Sequence, residues 1–317
     1  MLNKLLDKSR EYDLQKHDTR APAVALELTE DGRVRLPATE FGEVRPLRPT
    51  DWAWRQMFRK LGTTVFGKGS KRGLPADYLL AIPKELLAMN INKCLEKSKS
   101  QWLVRGYGDN CRAVLDRIYA DVSNTEVLET VQRVLDETQA VGSVRPHLTP
   151  DYVHGRIALR DLQENGGRQN FAVGFAFRNG EIGNSALTLS PFIQRHSCAN
   201  SIIWGKNGLR VIHRGSRKAL MVQFKAAIAN ALPMAATMVD SLIEADNEEI
   251  DISAVLRSLA KQHGWGEPVQ DAILMGTEGR QTRAGLVNGV SYAAHTAVDE
   301  PTDQYELEVL AGSLLLQ

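Results

Sequence analysis

The chain has 317 residues, 43% of them hydrophobic, and a formal net charge of +1. That is enough for one large packed domain or two small ones, and it excludes a bulk polycation, so any polyanion site must come from local segregation of charge. Three cysteines (Cys94, Cys111, Cys198) form no CxxC pair, which argues against a disulfide framework or zinc ribbon and for a reducing cytosol.

The start, "MLNKLLDKSREYDLQKHD", is charged and reads as neither a signal peptide nor an anchor. No apolar run approaches a bilayer span, so an intracellular protein is expected. Residues 1–50 read as an N-terminal arm, with a hairpin around Asp31-Gly32 and an extended connector "EVRPLRPTD". Thr50 or Asp51 is placed to cap a helix, "DWAWRQMFRKLG". A Gly-rich loop, "GKGSKRGLP", precedes further helical spacing in "PADYLLAIPKELLAMNINKCLEKS". The segment "SQWLVRGYGDNCRAVLDRIYADVSN" predicts a short strand, a Gly turn and a helix. In "NTEVLETVQRVLDETQ", Val127, Val131, Val134 and Leu135 share one helical face.

From 150 onward the period shortens to two. "YVHGRIALR" is followed by a strand with Phe171, Val173, Phe175 and Phe177 on one face, and Asn179-Gly180 predicts its hairpin turn. A second hairpin is expected around Asn207-Gly208, with Trp204 facing Val211 and Ile203 facing Ile212. A long helix begins at Ser216 and presents Leu220, Phe224, Ala227, Ile228 and Ala231; Pro233 kinks or restarts it. An acidic linker, "EADNEEIDIS", leads into a helical last third whose surfaces are expected to serve subunit contact or partner docking. The fold class is therefore α+β: an antiparallel sheet built from hairpins, helices on one face, and a helical C-terminal third. The organisation reads as an arm (1–50), a nucleic-acid-binding core (51–239) and a C-terminal region (240–317).

Charge is segregated in two windows. No acid occurs between Glu181 and Asp240, yet that window keeps Arg195, Lys206, Arg210, Arg214, Arg217, Lys218 and Lys225. Alternation places Arg210, Ile212 and Arg214 on one face. With Ser216 as cap, Arg217 and Lys218 fall in the first helical turn, where cations oppose the dipole by about 0.3–1 kcal/mol each. Together with Gly215 they describe a seat for a phosphate; the plainer reading is two side chains reaching into water. The second window, between Asp51 and Asp77, carries Arg55, Arg59, Lys60, Lys68, Lys71 and Arg72 interleaved with Trp52, Trp54, Phe58 and Phe66. Interleaved cations and rings suit a single strand, although Trp52, Trp54 and Phe58 fit a helix core at least as well.

Other motifs are weaker. "GKGSKRG" lacks the P-loop order, and "GYGDNC" stops short of a dinucleotide fingerprint. His196, Cys198 and His213 have no metal-ligand spacing. Asp109, Asp116 and Asp121 are the carboxylates a Mg²⁺-dependent nuclease would use, though Asp116 and Arg117 read more simply as a surface pair on a helix.

Three segments, "WLVRGYGDNCRAVLDRIYADVSN", "NFAVGFAFRNGEIGNSALTLSPFIQRHSCANSIIW" and "LVNGVSYAAHTAVDEPTDQYELEVLAGSLL", resemble an uncharacterised phage- and plasmid-borne family of unknown function. The resemblance implies a mobile-element source and no assigned activity. The order strand, hairpin, hairpin, long helix also resembles, in architecture, the phage single-strand annealing proteins. The expectation is a single-stranded DNA-binding, strand-annealing protein that acts as a homo-oligomer without cofactor, metal or catalytic residues. Trp204, Lys206, Arg210, Arg214, Arg217 and Lys218, with the bases of the second window, would contact DNA. The alternatives are the nuclease, or another phosphate-handling enzyme, and a phage-encoded interaction module that inhibits host defence by meeting an acidic protein.

Overall fold

The computed structural model describes residues 2–38, 45–66, 73–137, 143–163, 170–195, 201–204 and 208–315. Within them the chain is α+β, with two larger, largely antiparallel sheets, each with helices against it, and a two-stranded sheet. The first sheet orders β1 (Lys16–Pro22), β5 (Gln101–Tyr107), β6 (Asn110–Asp116) and β4 (Arg48–Pro49). Its short β4–β6 pairing is parallel. β2 (Glu27–Leu28) and β3 (Val34–Arg35) form the hairpin expected around Asp31-Gly32, where Gly32 takes a φ of 81°.

Thr50 caps α2 (Asp51–Phe66) by accepting from the Ala53 N–H at 3.2 Å. α2 and α4 (Lys84–Lys97) cover one face of this sheet. Trp54, Met57, Phe58 and Leu61 of α2 and Leu87, Ile91 and Leu95 of α4 pack on Trp102, Val104 and Val114. Trp54 and Phe58, stacked at 5.3 Å, are thus core residues.

The helix expected after Cys111 is strand β6 instead. Cys111 to Leu115 are buried on both faces, so the run shows no alternation and its apolar content mimics a helix. Asp116 and Arg117 consequently stand at a strand end, not on a helix surface.

The second sheet is antiparallel and runs β7 (Ser143–Leu148), β8 (Tyr152–Gln163), β9 (Asn170–Gly180), β10 (Leu187–Arg195) and β11 (Ser201–Ile203). β12 (Leu209–Val211) also pairs with β10. The hairpin expected around Asn207-Gly208, with Asn207 itself outside the described residues, would pair β11 with β12, and the two strands do not pair with each other. Ile203 lies opposite Phe192 and Leu209 opposite Leu189, so six steps of chain advance only three positions along β10. β11 and β12 are two pieces of one edge strand. Both pair with β10 because its edge still offers unmet backbone groups, which a hairpin would leave bare. The β9–β10 hairpin does form, but Asn179 lies within β9, opposite Val153, and the turn spans 181–186.

Phe175 and Phe177 meet α1 (Leu2–Asp13), α5 (Asn124–Glu137) and the first half of α6 (Arg217–Ala245). Val127, Val131, Val134 and Leu135 of α5 are buried there, as are Leu220, Phe224, Ile228 and Ala231 of α6. The halves of α6 meet at Pro233 with a bend of 47°. The second half packs with α7 (Ile252–His263), α8 (Glu267–Gly276), α9 (Arg283–Thr296) and α10 (Pro301–Leu314) around Phe171, Val173 and Trp204. Tyr305 and Val309 of α10 reach the opposite face of the sheet at Ala176 and Phe192. Much of the apolar content of the C-terminal helices is therefore used inside the protomer. The acidic linker is partly answered there too: Asp246 pairs with Arg280 and Glu248 with Arg283. Residues 1–50 contribute to both cores, through α1 to the second and β1 to the first. No single helix among the described residues is long and apolar enough to cross a membrane.

The sheets meet at the turn after β9. Glu181 is fully buried. Its carboxylate takes Lys16 Nζ at 2.8 Å, Arg112 Nη2 at 2.9 Å and the Asn124 backbone N–H at 2.7 Å. Arg105 donates to its carbonyl at 2.7 Å and to Asp18 and Asp121 at 2.9 and 2.6 Å. Burial acts to raise the Glu181 pKa; Lys16, Arg112 and Arg105 outweigh it and hold it below its ordinary value. Glu181→Ala would strand these cations in the interior, a loss of about 3–5 kcal/mol. Denaturant midpoints of the two proteins measure it, and an unchanged midpoint would deny the network this role.

Candidate nucleic-acid interface

A cleft of about 760 Å³ opens along this junction. Its walls are Gln56, Arg59 and Lys60 of α2, the end of β6 with Ile118 and Tyr119, the turn from Gly183 to Ala186, and Arg210 to Arg214. The two basic windows, about 150 residues apart in sequence, thus face one space. The cleft is of the size that encloses a small ligand, roughly 300–1,000 Å³.

Each wall is held from behind. Trp52 Nε1 and Gln56 Nε2 donate to the Ile182 carbonyl at 2.9 and 2.8 Å, which ties α2 to the β9–β10 turn. Gly183 has a φ of 75°, and a Cβ there would lie 2.9 Å from Leu115 Cδ2, so a side chain is doubly disfavoured. Tyr119 donates to Gly180 O at 2.9 Å and stacks on His213 at 5.0 Å. Asn179 gives its amide protons to Val122 O and Asn124 Oδ1, leaving its oxygen to accept from His213 Nε2 at 2.8 Å. Burial, and then Arg105, pushes the His213 pKa down to about 4, so the ring is neutral at pH 7 with its proton on Nε2.

Four cations line the cleft against one carboxylate, Asp116. Lys60 pairs with Asp116. Arg59, Arg210 and Arg214 are exposed and have no carboxylate partner among the described residues. An unpaired guanidinium presents a planar fork that matches two phosphate oxygens.

The remaining predicted positions fall elsewhere. Trp204, expected at the interface, is a core residue in contact with the C-terminal helices, and its indole N–H has no partner among the described residues. Arg55 is exposed one turn before Arg59 but does not line the cleft. Ser216 caps α6 as expected, accepting from the Ala219 N–H at 3.4 Å. The anion that answers Arg217 is Glu126, at 2.7 Å, so its placement in the first turn of α6 needs no phosphate. Lys218 is exposed and off the cleft. Lys225 pairs with Glu137. Lys68, Lys71, Arg72 and Lys206 lie outside the described residues, as do His196 and Cys198. The three nuclease carboxylates go separate ways: Asp109 to Arg45, Asp116 to Lys60, Asp121 to Arg105. No group of three or more His, Cys, Asp or Glu among the described residues could hold a metal ion. Sequence reasoning missed Ile118 and Tyr119, which carry no local signal.

Comparison with known proteins returns no match to a family model, a curated protein or a solved structure.

His213 makes the fold sensitive to acid. Unfolded, its imidazole takes up a proton below about 6.5; folded, only near 4. Its contribution is therefore complete above 6.5 and is lost as pH falls from 6.5 toward 4, where the unfolded chain binds the extra proton. His213→Gln should flatten that part of a plot of unfolding free energy against pH. An unchanged slope would show that His213 does not titrate this way.

Proposed function

We propose that the chain binds single-stranded DNA in this cleft and works in phage or mobile-element recombination or replication, annealing complementary strands. The observation that carries the reading is the meeting of Arg59, Arg210 and Arg214, three exposed arginines without carboxylate partners among the described residues, in one cleft. Phosphates supply the missing anions, and a single strand is narrow enough to follow a cleft between two sheets. Annealing requires no general acid, base or cofactor. It requires a strand held extended with its base edges free, and several protomers to align such strands. A homo-oligomer in the cytoplasm of a bacterial host is the assembly this reading calls for. The resemblance to a phage- and plasmid-borne family agrees with a mobile-element source; the likeness to annealing proteins rests on two hairpins, of which the second is not formed between β11 and β12, since both pair with β10.

Affinity for single-stranded DNA should fall steeply with salt, with a log–log slope of about −0.7 per phosphate contacted. Arg210→Glu with Arg214→Glu should abolish binding at moderate salt and leave the melting temperature near wild type. Lys218→Glu, off the cleft, should weaken binding less. Electrophoretic shift at two salt levels measures all three. A response flat in salt overturns the reading, and metal-dependent cleavage of labelled DNA would favour an enzyme.

A further inference from the structure

We infer that Ile118 and Ile212 are the base-contacting residues of the cleft, and that they select a strand with unstacked bases over a duplex; this rests on the cleft being the DNA site. Ile118 is 56% exposed and Ile212 58%. A lone exposed aliphatic side chain is ordinary and calls for no explanation. Here two branched ones stand in a single cleft beside three arginines without carboxylate partners among the described residues.

Their mounting is rigid. Ile118 immediately precedes Tyr119, and Ile212 immediately precedes His213. Those two rings stack, and each is hydrogen-bonded from behind, to Gly180 and Asn179. The Tyr119–Arg214 β-bridge and the Ala120 N–H to His213 carbonyl bond at 3.0 Å join the two backbones. The inward residues of the 210–214 segment, Val211 and His213, are half-buried and buried, and Arg210, Ile212 and Arg214 face out. An apolar group is thus presented between two cations, with little ordering left to do when a ligand arrives.

The chemistry narrows the ligand. A free inorganic anion would satisfy the arginines and leave the isoleucines in water. A duplex turns its phosphates outward and keeps its base faces within the stack, so the isoleucines would meet only sugar and phosphate. A single strand offers anionic groups and apolar base faces together along its length.

The test compares a thymidine strand, an abasic strand of equal length and charge, and a duplex, by fluorescence anisotropy at fixed salt. Wild type should bind the thymidine strand roughly tenfold tighter than the abasic one, as expected for burial of a modest apolar area, and tighter than the duplex. Ile118→Asn with Ile212→Asn should bring the thymidine-to-abasic ratio near one and leave the salt slope unchanged. Arg210→Ala with Arg214→Ala should lower the slope and keep the ratio. Because the ratio in wild type is itself a readout, the result does not depend on any variant folding. A ratio near one in wild type, equal affinity for the duplex, or a ratio unchanged in the isoleucine variant overturns this inference alone. Absence of binding to every strand overturns it together with the DNA reading.

Discussion

A carboxylate with no exposure to water, Glu181, sits where the two sheets meet. Removing a charge from water costs several kcal/mol, and that cost is offset only when excellent partners surround it. Here they come from every side: Lys16 at the start of β1, Arg112 from β6, the first N–H of α5. Arg105 of β5 adds a bond to the Glu181 carbonyl and carries the charge outward to Asp18 and Asp121. The α5 contact also places the negative group at a helix N-terminus, where the dipole favours it. Such a cluster has few alternative arrangements, because a shift of either sheet would leave one of these ions without its partner. The relative position of the sheets follows from it.

The cleft inherits that order. From Glu181 a hydrogen-bond path runs through Asn124 and Asn179 to His213, and from His213 a ring stack reaches Tyr119. The arginines that face the cleft are thus mounted on backbone fixed to the ionic centre, while their own side chains stay in water. Placing mobile, charged groups on a rigid scaffold is how proteins build sites whose geometry survives solvent exposure.

The charge pattern divides in the same way. Several bases of the acid-poor windows find carboxylates far away in sequence: Arg217 with Glu126, Lys225 with Glu137, Lys60 with Asp116. These exposed or half-exposed pairs contribute little to stability, but they remove their members as sources of attraction for a polyanion. Among the described residues Arg59, Arg210 and Arg214 have no carboxylate partner and stand in one cleft, while Arg55 and Lys218 are equally exposed but lie off it. Local acid depletion is therefore a poor guide to any single base and a fair guide to the region.

By itself the sequence determined what depends on neighbours along the chain. The periods of 3.6 and 2, the Thr50 and Ser216 caps, the Asp31-Gly32 hairpin and the α+β class were legible, because capping, alternation and turn chemistry act over a few residues. The alternation that sets Arg210, Ile212 and Arg214 outward was legible for the same reason. Tertiary structure alone decided that the strand after Cys111 is not a helix, since a run buried on both faces has no period to read. It decided that β11 and β12 pair with β10 and not with each other, since β10 offered an open edge to both segments. It decided that Trp204 is core and that Arg217 already has its anion. Above all it decided Glu181: in "NGEIGN" a glutamate reads as one more solvated turn residue, and only three cations brought from residues 16, 105 and 112 make its burial tolerable. Long-range electrostatics leaves no periodic trace in a chain, so the junction of the sheets, and the cleft it holds open, appear only once the chain is folded.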